Sequence, residues 1–297
     1  MSTPSTLIAV TGRGFVGALR AELLKTAKRW SPWILLLLQL VIIIGLSYFL
    51  VWLIGAGHIA ANVAQATRNS LLAGIYPGGF AHQAIGGSGL TPILALLLGA
   101  LLTGTDFGSG TLKTLFTLRP SRLEALAAKF VAIAIAVAVG VVVVFAACAG
   151  ASVLFAAIQG ASTSNWPAGG EIVRAMLGAW LIWGWWAFFG AALTILFRNM
   201  ALSIGIGLAY QVVLEGLLLM IGTALHVQFF VDLKRALPGP NAGWVEAAFP
   251  VHQVGHAVST AVAQNANTAG QAALILLGWS LLALIVSGAM VAIRDVD

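Results

Sequence analysis

Charge is what this chain has least of. Lys and Arg together number 15 and Asp and Glu nine, which is 8% of 297 residues, where a soluble domain carries about a quarter. Hydrophobic residues make up 60% and the mean hydropathy is +0.99, so a soluble globular fold is excluded and the chain reads as an integral membrane protein. Cysteine is nearly absent. The single Cys148 lies inside an apolar run, which rules out an internal disulfide and marks it as a small buried apolar residue. The net charge of +6 does not point to nucleic acid, because the cations sit in connections beside apolar runs. There is no fixed-period repeat and no separate soluble domain, so residues 1–297 read as one transmembrane domain.

The apolar runs predict six spans, at about Trp33–Ile54, Gly87–Thr105, Val131–Ile158, Ile172–Phe197, Ala201–Thr223 and Ala272–Ile293. At about 1.5 Å of rise per residue, even the shortest covers roughly 28 Å of a hydrocarbon layer about 30 Å thick. Before them come a Ser/Thr-rich tail over 1–12, expected to be disordered, and an amphipathic segment over 13–31. There Phe15, Ala18, Leu19 and Leu23 alternate at helical spacing with Arg20, Glu22, Lys25, Lys28 and Arg29. This segment is expected either to lie in the headgroup region with its basic side on anionic lipid or simply to set topology. The run after it is longer than the apolar core of a signal peptide and lacks a small-x-small cleavage site, so an uncleaved span is expected.

Counting cations on each side of this layout gives eleven in the leading segment, the even connections and the end of the chain, against Arg68, Arg174, Lys234 and Arg235 on the other side. Both termini are therefore expected in the cytoplasm and the protein in the inner (plasma) membrane. The outer connections, about 55–86 and 224–271, contain the helix-breaking stretches IYPGG and LPGPN. The link around Arg198 and Asn199 is short enough to make a tight hairpin of spans four and five.

Between spans two and three runs Asp106–Lys129, DFGSGTLKTLFTLRPSRLEALAAK. GSGTLKT is not a nucleotide-binding loop: Leu112 precedes Lys113 where a Gly is required, and the element before it is a span, not a strand. Gly108 and Gly110 permit a sharp turn out of the membrane. Thr111–Leu118 then reads as a short amphipathic helix capped by Thr111, with Leu112, Leu115 and Phe116 on one side. Pro120 ends it, and Ser121 with Glu124 forms a capping box that starts the next helix. Such an apolar knob with a cationic rim suits a groove on a cytoplasmic partner, and it equally suits a basic loop that fixes topology.

On these residues the chain resembles the type-2 ABC transporter permeases. The pattern is an acidic residue four before Gly-Thr-Leu-Lys, then Leu, Pro, Ser-Arg and a Lys opening the next span. It is matched by Asp106, Gly110-Thr111-Leu112-Lys113, Leu115, Pro120, Ser121-Arg122 and Lys129. An earlier Glu22-x-x-Lys25 and a closing Arg294-Asp295 extend the likeness along the chain, whereas Asp106 stands where Glu is usual and Ser109 where a larger residue is common. The resemblance implies an all-α fold with an N-terminal interface helix and a cytoplasmic coupling helix over Thr111–Leu118. It also implies a non-enzymatic permease subunit of an exporter that binds no cofactor itself. A separate cytoplasmic ATPase in two copies would hold ATP and Mg, and a second permease would complete a homo- or heterodimer. Contact with the ATPase would fall to Glu22, Lys25, Asp106, Gly110, Thr111, Lys113, Leu115, Phe116, Arg119, Pro120 and Arg122.

Within the spans, Glu215 is the costliest residue, at about 2.5–3.5 kcal/mol for a carboxylate at depth. It reads either as part of a pathway or gate, with Gln211 one turn before it, or as a protonated structural group bonded to a neighbouring helix. Trp180 and Trp183, in AWLIWGWWAFFG, are candidates for an apolar pathway, with helix packing as the alternative. His252 and His256 would share a face if helical, but two ligands do not make a metal site, and none is assigned. Gly86-Gly87-Ser88-Gly89 has the form of a rhomboid-like intramembrane hydrolase. That makes Ser88 the nucleophile of an alternative reading, beside a non-transport sensor or lipid-handling subunit.

Overall fold

A computed structural model describes residues 14–60, 62–86, 89–108, 122–225, 228–249, 251–253, 256–258 and 267–293. Helix α1 (Phe15–Lys28) ends at Arg29, whose extended backbone (φ −83°, ψ 138°) turns the chain into α2 (Trp30–Gly55). Then come α3 (Gln65–Ile75), α4 (Phe80–Gly86), α5 (Thr91–Gly108), α6 (Arg122–Ile158) and α7 (Gly169–Phe197). Helix α8 runs as Met200–Leu208, a π-helical stretch Ala209–Leu214, and Glu215–Leu225. Helices α9 (Gln228–Ala236) and α10 (Pro238–Ala247) precede a two-stranded hairpin, β1 (Val251–Gln253) and β2 (His256–Val258), and α11 (Ala269–Ile293) closes the order.

The expected all-α membrane fold is what the structure has, apart from that one hairpin. Among the described residues, five helices are long and apolar enough to cross a membrane: α2, α6, α7, α8 and α11. The pair α4–α5, bent by 47° at its break, brings the number to six when it is counted as one span. Within that pair the longer helix starts at Thr91 and is preceded by about two helical turns of α4. Helix α6 has 37 residues, about 55 Å at 1.5 Å each, so it extends well beyond a hydrocarbon layer of about 30 Å. It projects at the end of the bundle where α1 lies, called the basal end below. The short link between spans four and five is also realised. Arg198 ends α7 in the left-handed conformation (φ 51°), and the Asn199 side chain caps α8 by accepting from the Leu202 N–H at 3.1 Å.

Two departures from expectation have local causes. His252 and His256 sit on paired strands, with His252 opposite Ala257 and Gln253 opposite His256, so the helical four-residue spacing is not formed. In α1, part of the polar face turns inward: Glu22 is buried while Val16 and Leu24 are 77% and 52% exposed. The inward turn follows from the partners waiting on α5 and α6.

The centre of the bundle is the crossing of α5 on α7, where two glycines remove the side chains that would hold the backbones apart. A Cβ on Gly99 would fall 1.8 Å from the Ala187 carbonyl oxygen, and one on Gly190 would fall 2.2 Å from that of Leu96. Close backbone approach through small residues is how helices gain packing energy in lipid, where burial of apolar area offers none. Around this crossing, Trp185, Trp186, Phe189, Tyr210 and Trp279 stack at centroid separations of 5.2–6.3 Å and join α7 to α8 and α11.

Gly99→Ala and Gly190→Ala should each destabilise the protein by about 3 kcal/mol or more, since backbone cannot yield as a side chain does. Gly140→Ala, on α6 with no atom within 4 Å, should leave it unchanged or gain about 0.5–1 kcal/mol of helix propensity. Thermal unfolding of the purified variants separates the two outcomes.

Candidate functional site

At the basal end five charged side chains from three helices converge. Helix α1 supplies Glu22 and Lys25, and the turn after it supplies Arg29. Helix α5 ends in Asp106, and α6 presents Lys129 two turns from its start. Lys25 Nζ lies 2.7 Å from Glu22 Oε1 and 3.0 Å from Asp106 Oδ1. Lys129 Nζ lies 2.8 Å from Glu22 Oε2 and also donates to Asp106 Oδ2. Arg29 approaches Asp106 Oδ1 at 3.5 Å and donates to the Thr105 hydroxyl.

The site is largely closed to solvent. The Asp106 side chain is 2% exposed, and those of Lys129 and Glu22 are 11% and 12%. Removing a carboxylate from water costs several kcal/mol, which is offset only when the partners are close and the remaining lone pairs are used. Here both Asp106 oxygens accept from cations, and Glu22 gives one oxygen to each lysine. Three cations against two anions leave the knot with an excess positive charge.

Of the residues expected to face an ATPase, the structure brings Glu22, Lys25 and Asp106 together. Arg122 opens α6 with its side chain half-buried. Gly110, Thr111, Lys113, Leu115, Phe116, Arg119 and Pro120 lie outside the described residues, as does Ser88. Arg29 and Lys129 complete the knot without having been assigned a site role. Lys129 did carry a signal, its place at the end of the Asp106 motif, whereas Arg29 stood only as one cation among several flanking a span.

The four pathway candidates fall in different places. Glu215 is 4% exposed, and its Oε1 accepts from the Tyr210 hydroxyl at 2.9 Å and from the Gly239 N–H at 3.0 Å. Gly239 belongs to the first turn of α10, so the carboxylate sits at the positive end of that helix, and a Cβ there would meet Glu215 Oε2 at 1.8 Å. Tyr210, not Gln211, is the neighbour on its own helix. The intervening backbone is π-helical, and in that geometry residues five apart align. Gln211 is half-buried and its Oε1 has no partner. The Trp180 indole N–H donates to the Ala134 carbonyl, bracing α7 on α6. Trp183 donates to the Ile85 carbonyl and lines a cavity of about 70 Å³ between α2, α5 and α6, which the Gln39–Thr91 hydrogen bond borders. Neither Gln211 nor Glu215 lines that cavity.

Removing one member of the knot should cost more than removing a pair. Lys129→Met is expected to destabilise by about 3–5 kcal/mol because two buried carboxylates lose a cation. Combining it with Glu22→Met should recover part of that loss in a double-mutant cycle read by thermal unfolding. Glu215→Gln, which retains an acceptor for both donors, should cost less than Glu215→Leu, which strands the Tyr210 hydroxyl and the Gly239 N–H.

No curated protein matches the chain. A family model described as "ABC-2 family transporter protein" matches residues 18–214. The matched region holds every member of the knot, the first four spans and the first part of the fifth, and it ends one residue before Glu215. The chain belongs to the ABC-2 family of transporter membrane proteins.

Proposed function

We propose that this chain is the permease subunit of an ATP-driven exporter, moved by a separate cytoplasmic ATPase. The observation that carries the reading is the knot, because it ties α1 to the ends of the two helices that the 109–121 segment connects. A displacement of α1 or of that segment is delivered to α5 and α6 together, as a rigid-body shift and not as local bending.

The basal end is the cytoplasmic one on this reading, in keeping with the eleven cations placed there by sequence and with both termini inside the inner membrane. Leu115 and Phe116, on the coupling helix read over Thr111–Leu118, form the apolar contact with the ATPase. Lys113, Arg119 and Arg122 form its cationic rim. ATP and Mg are bound by two copies of the ATPase, and two permeases pair to enclose the pathway. Glu215 and Gln211, with the aromatic ring stack beside them, contribute to the gate from span five.

Replacing Leu115 and Phe116 together by Asp should leave the thermal unfolding midpoint of the permease unchanged and abolish co-purification of a nucleotide-hydrolysing partner. Full retention of that partner, or unaltered transport in reconstituted vesicles, would overturn the assignment.

A further inference from the structure

A second acidic contact lies at the distal end, away from the knot, and the transport reading does not use it. Glu246 on α10 reaches across to α4, where its Oε1 is 3.9 Å from His82 Nε2. The carboxylate lies directly over Gly86, at which a Cβ would stand 2.3 Å from Oε2. The side chains of His82 and Glu246 are only 19% and 27% exposed. His82 Nδ1 is buried without a hydrogen-bond partner, and the ring also faces the backbone of Glu246 and Phe249.

Other charges lie on the neighbouring elements without forming an ion pair to Glu246. Helix α10 packs on α4, α7, α9 and α11, and α4 packs on α3, α6, α7 and the middle of α2, which is π-helical over Ile43–Leu50. These carry Arg68 on α3, Glu171 and Arg174 on α7, Asp232, Lys234 and Arg235 on α9, and Arg122, Glu124 and Lys129 in the basal third of α6. Among the described residues, His82 is the one basic group placed within 4 Å of the Glu246 carboxyl.

The contact joins two separate elements at the bundle's distal end. Helix α4 leads through the bend into span two, and α10 stands between spans five and six, with its first turn held by Glu215. We propose that Glu246 and His82 form a proton-sensitive latch that fastens α10 to α4.

The sense of the switch follows from burial. Desolvation pushes the Glu246 carboxyl up from 4.5 to about 7, so the closed contact favours the neutral acid. A carboxyl raised in the closed state stabilises closure fully below its ordinary value and loses that stabilisation as the pH rises to the raised one. The window therefore runs from about 4.5 to about 7. A neutral imidazole opposite supplies no charge to offset the anion that forms. Release consequently grows as the distal side becomes less acidic.

Hydrogen exchange on the backbone amides of α10 tests this in the full-length protein in lipid nanodiscs, with rates corrected for the intrinsic pH dependence. The opening equilibrium of the wild type should rise by up to about tenfold per pH unit between pH 5 and 7 and level off above. Glu246→Gln should flatten the profile to within about twofold. His82→Lys, which sets a fixed cation opposite the carboxylate, should move the transition down by about one pH unit or more. A wild-type profile without slope would overturn the latch, as would the same slope in Glu246→Gln. An unshifted transition in His82→Lys would remove His82 from it. None of these readouts depends on transport or on an ATPase.

Discussion

A carboxylate placed at the edge of a hydrocarbon layer must be matched or the helices carrying it will not pack. Asp106 is that carboxylate, and the basal architecture can be understood as the set of arrangements that bring cations to both of its oxygens. Lys129 requires α6 to start well before the membrane and to pass close to the end of α5. Lys25 and Arg29 require α1 to lie flat against them and to present its polar side inward. The exposed Val16 and Leu24 are the cost of that choice, and they give α1 an outer surface suited to lipid headgroups or to another protein. Because buried ion pairs contribute little net stability but are expensive to break singly, the knot is better understood as fixing one relative position of three helices than as adding strength.

The remainder of the bundle is held by a different principle. The α5–α7 crossing uses Gly99 and Gly190 to bring carbonyl groups to near contact, and the aromatic stack around Trp185, Trp186 and Tyr210 fills the space beside it. Span two is thus gripped at its centre by packing and at its basal end by charge. Its distal end is divided from α4 by the bend and is tied to α2 by the Gln39–Thr91 hydrogen bond.

Much of this was legible in the amino-acid sequence, and the exceptions have identifiable causes. Long apolar runs such as Trp33–Ile54 are unambiguous because a helix is the only backbone form that a single segment can adopt in lipid. The tight hairpin around Arg198 and Asn199 followed from the shortness of the link between two apolar runs. By contrast, Glu22 and Lys129 are 107 residues apart, and no local pattern says that a charge flanking one span will pair with a charge opening another. The motif resemblance named Asp106 and Lys129 without saying that they touch. Glu215 stood out from its burial cost alone, yet its partner was misread, because an α-helical spacing selects Gln211 and the actual backbone selects Tyr210. The spacing of the two histidines after α10 would have placed them on one face only in a helix, and the chain forms a hairpin there.

The wide turn in α8 sets the phase of the second half of span five. Residues 209–214 hold more chain per turn than an α-helix, so the surplus can be taken up only by rotating everything that follows. In the present phasing Glu215 meets a phenol, and the carboxamide of Gln211 is left with an unused oxygen. In α geometry the same carboxylate would face that carboxamide, and the tyrosine would swing off its face. The partner of this one acidic side chain is thus set by the local helical pitch.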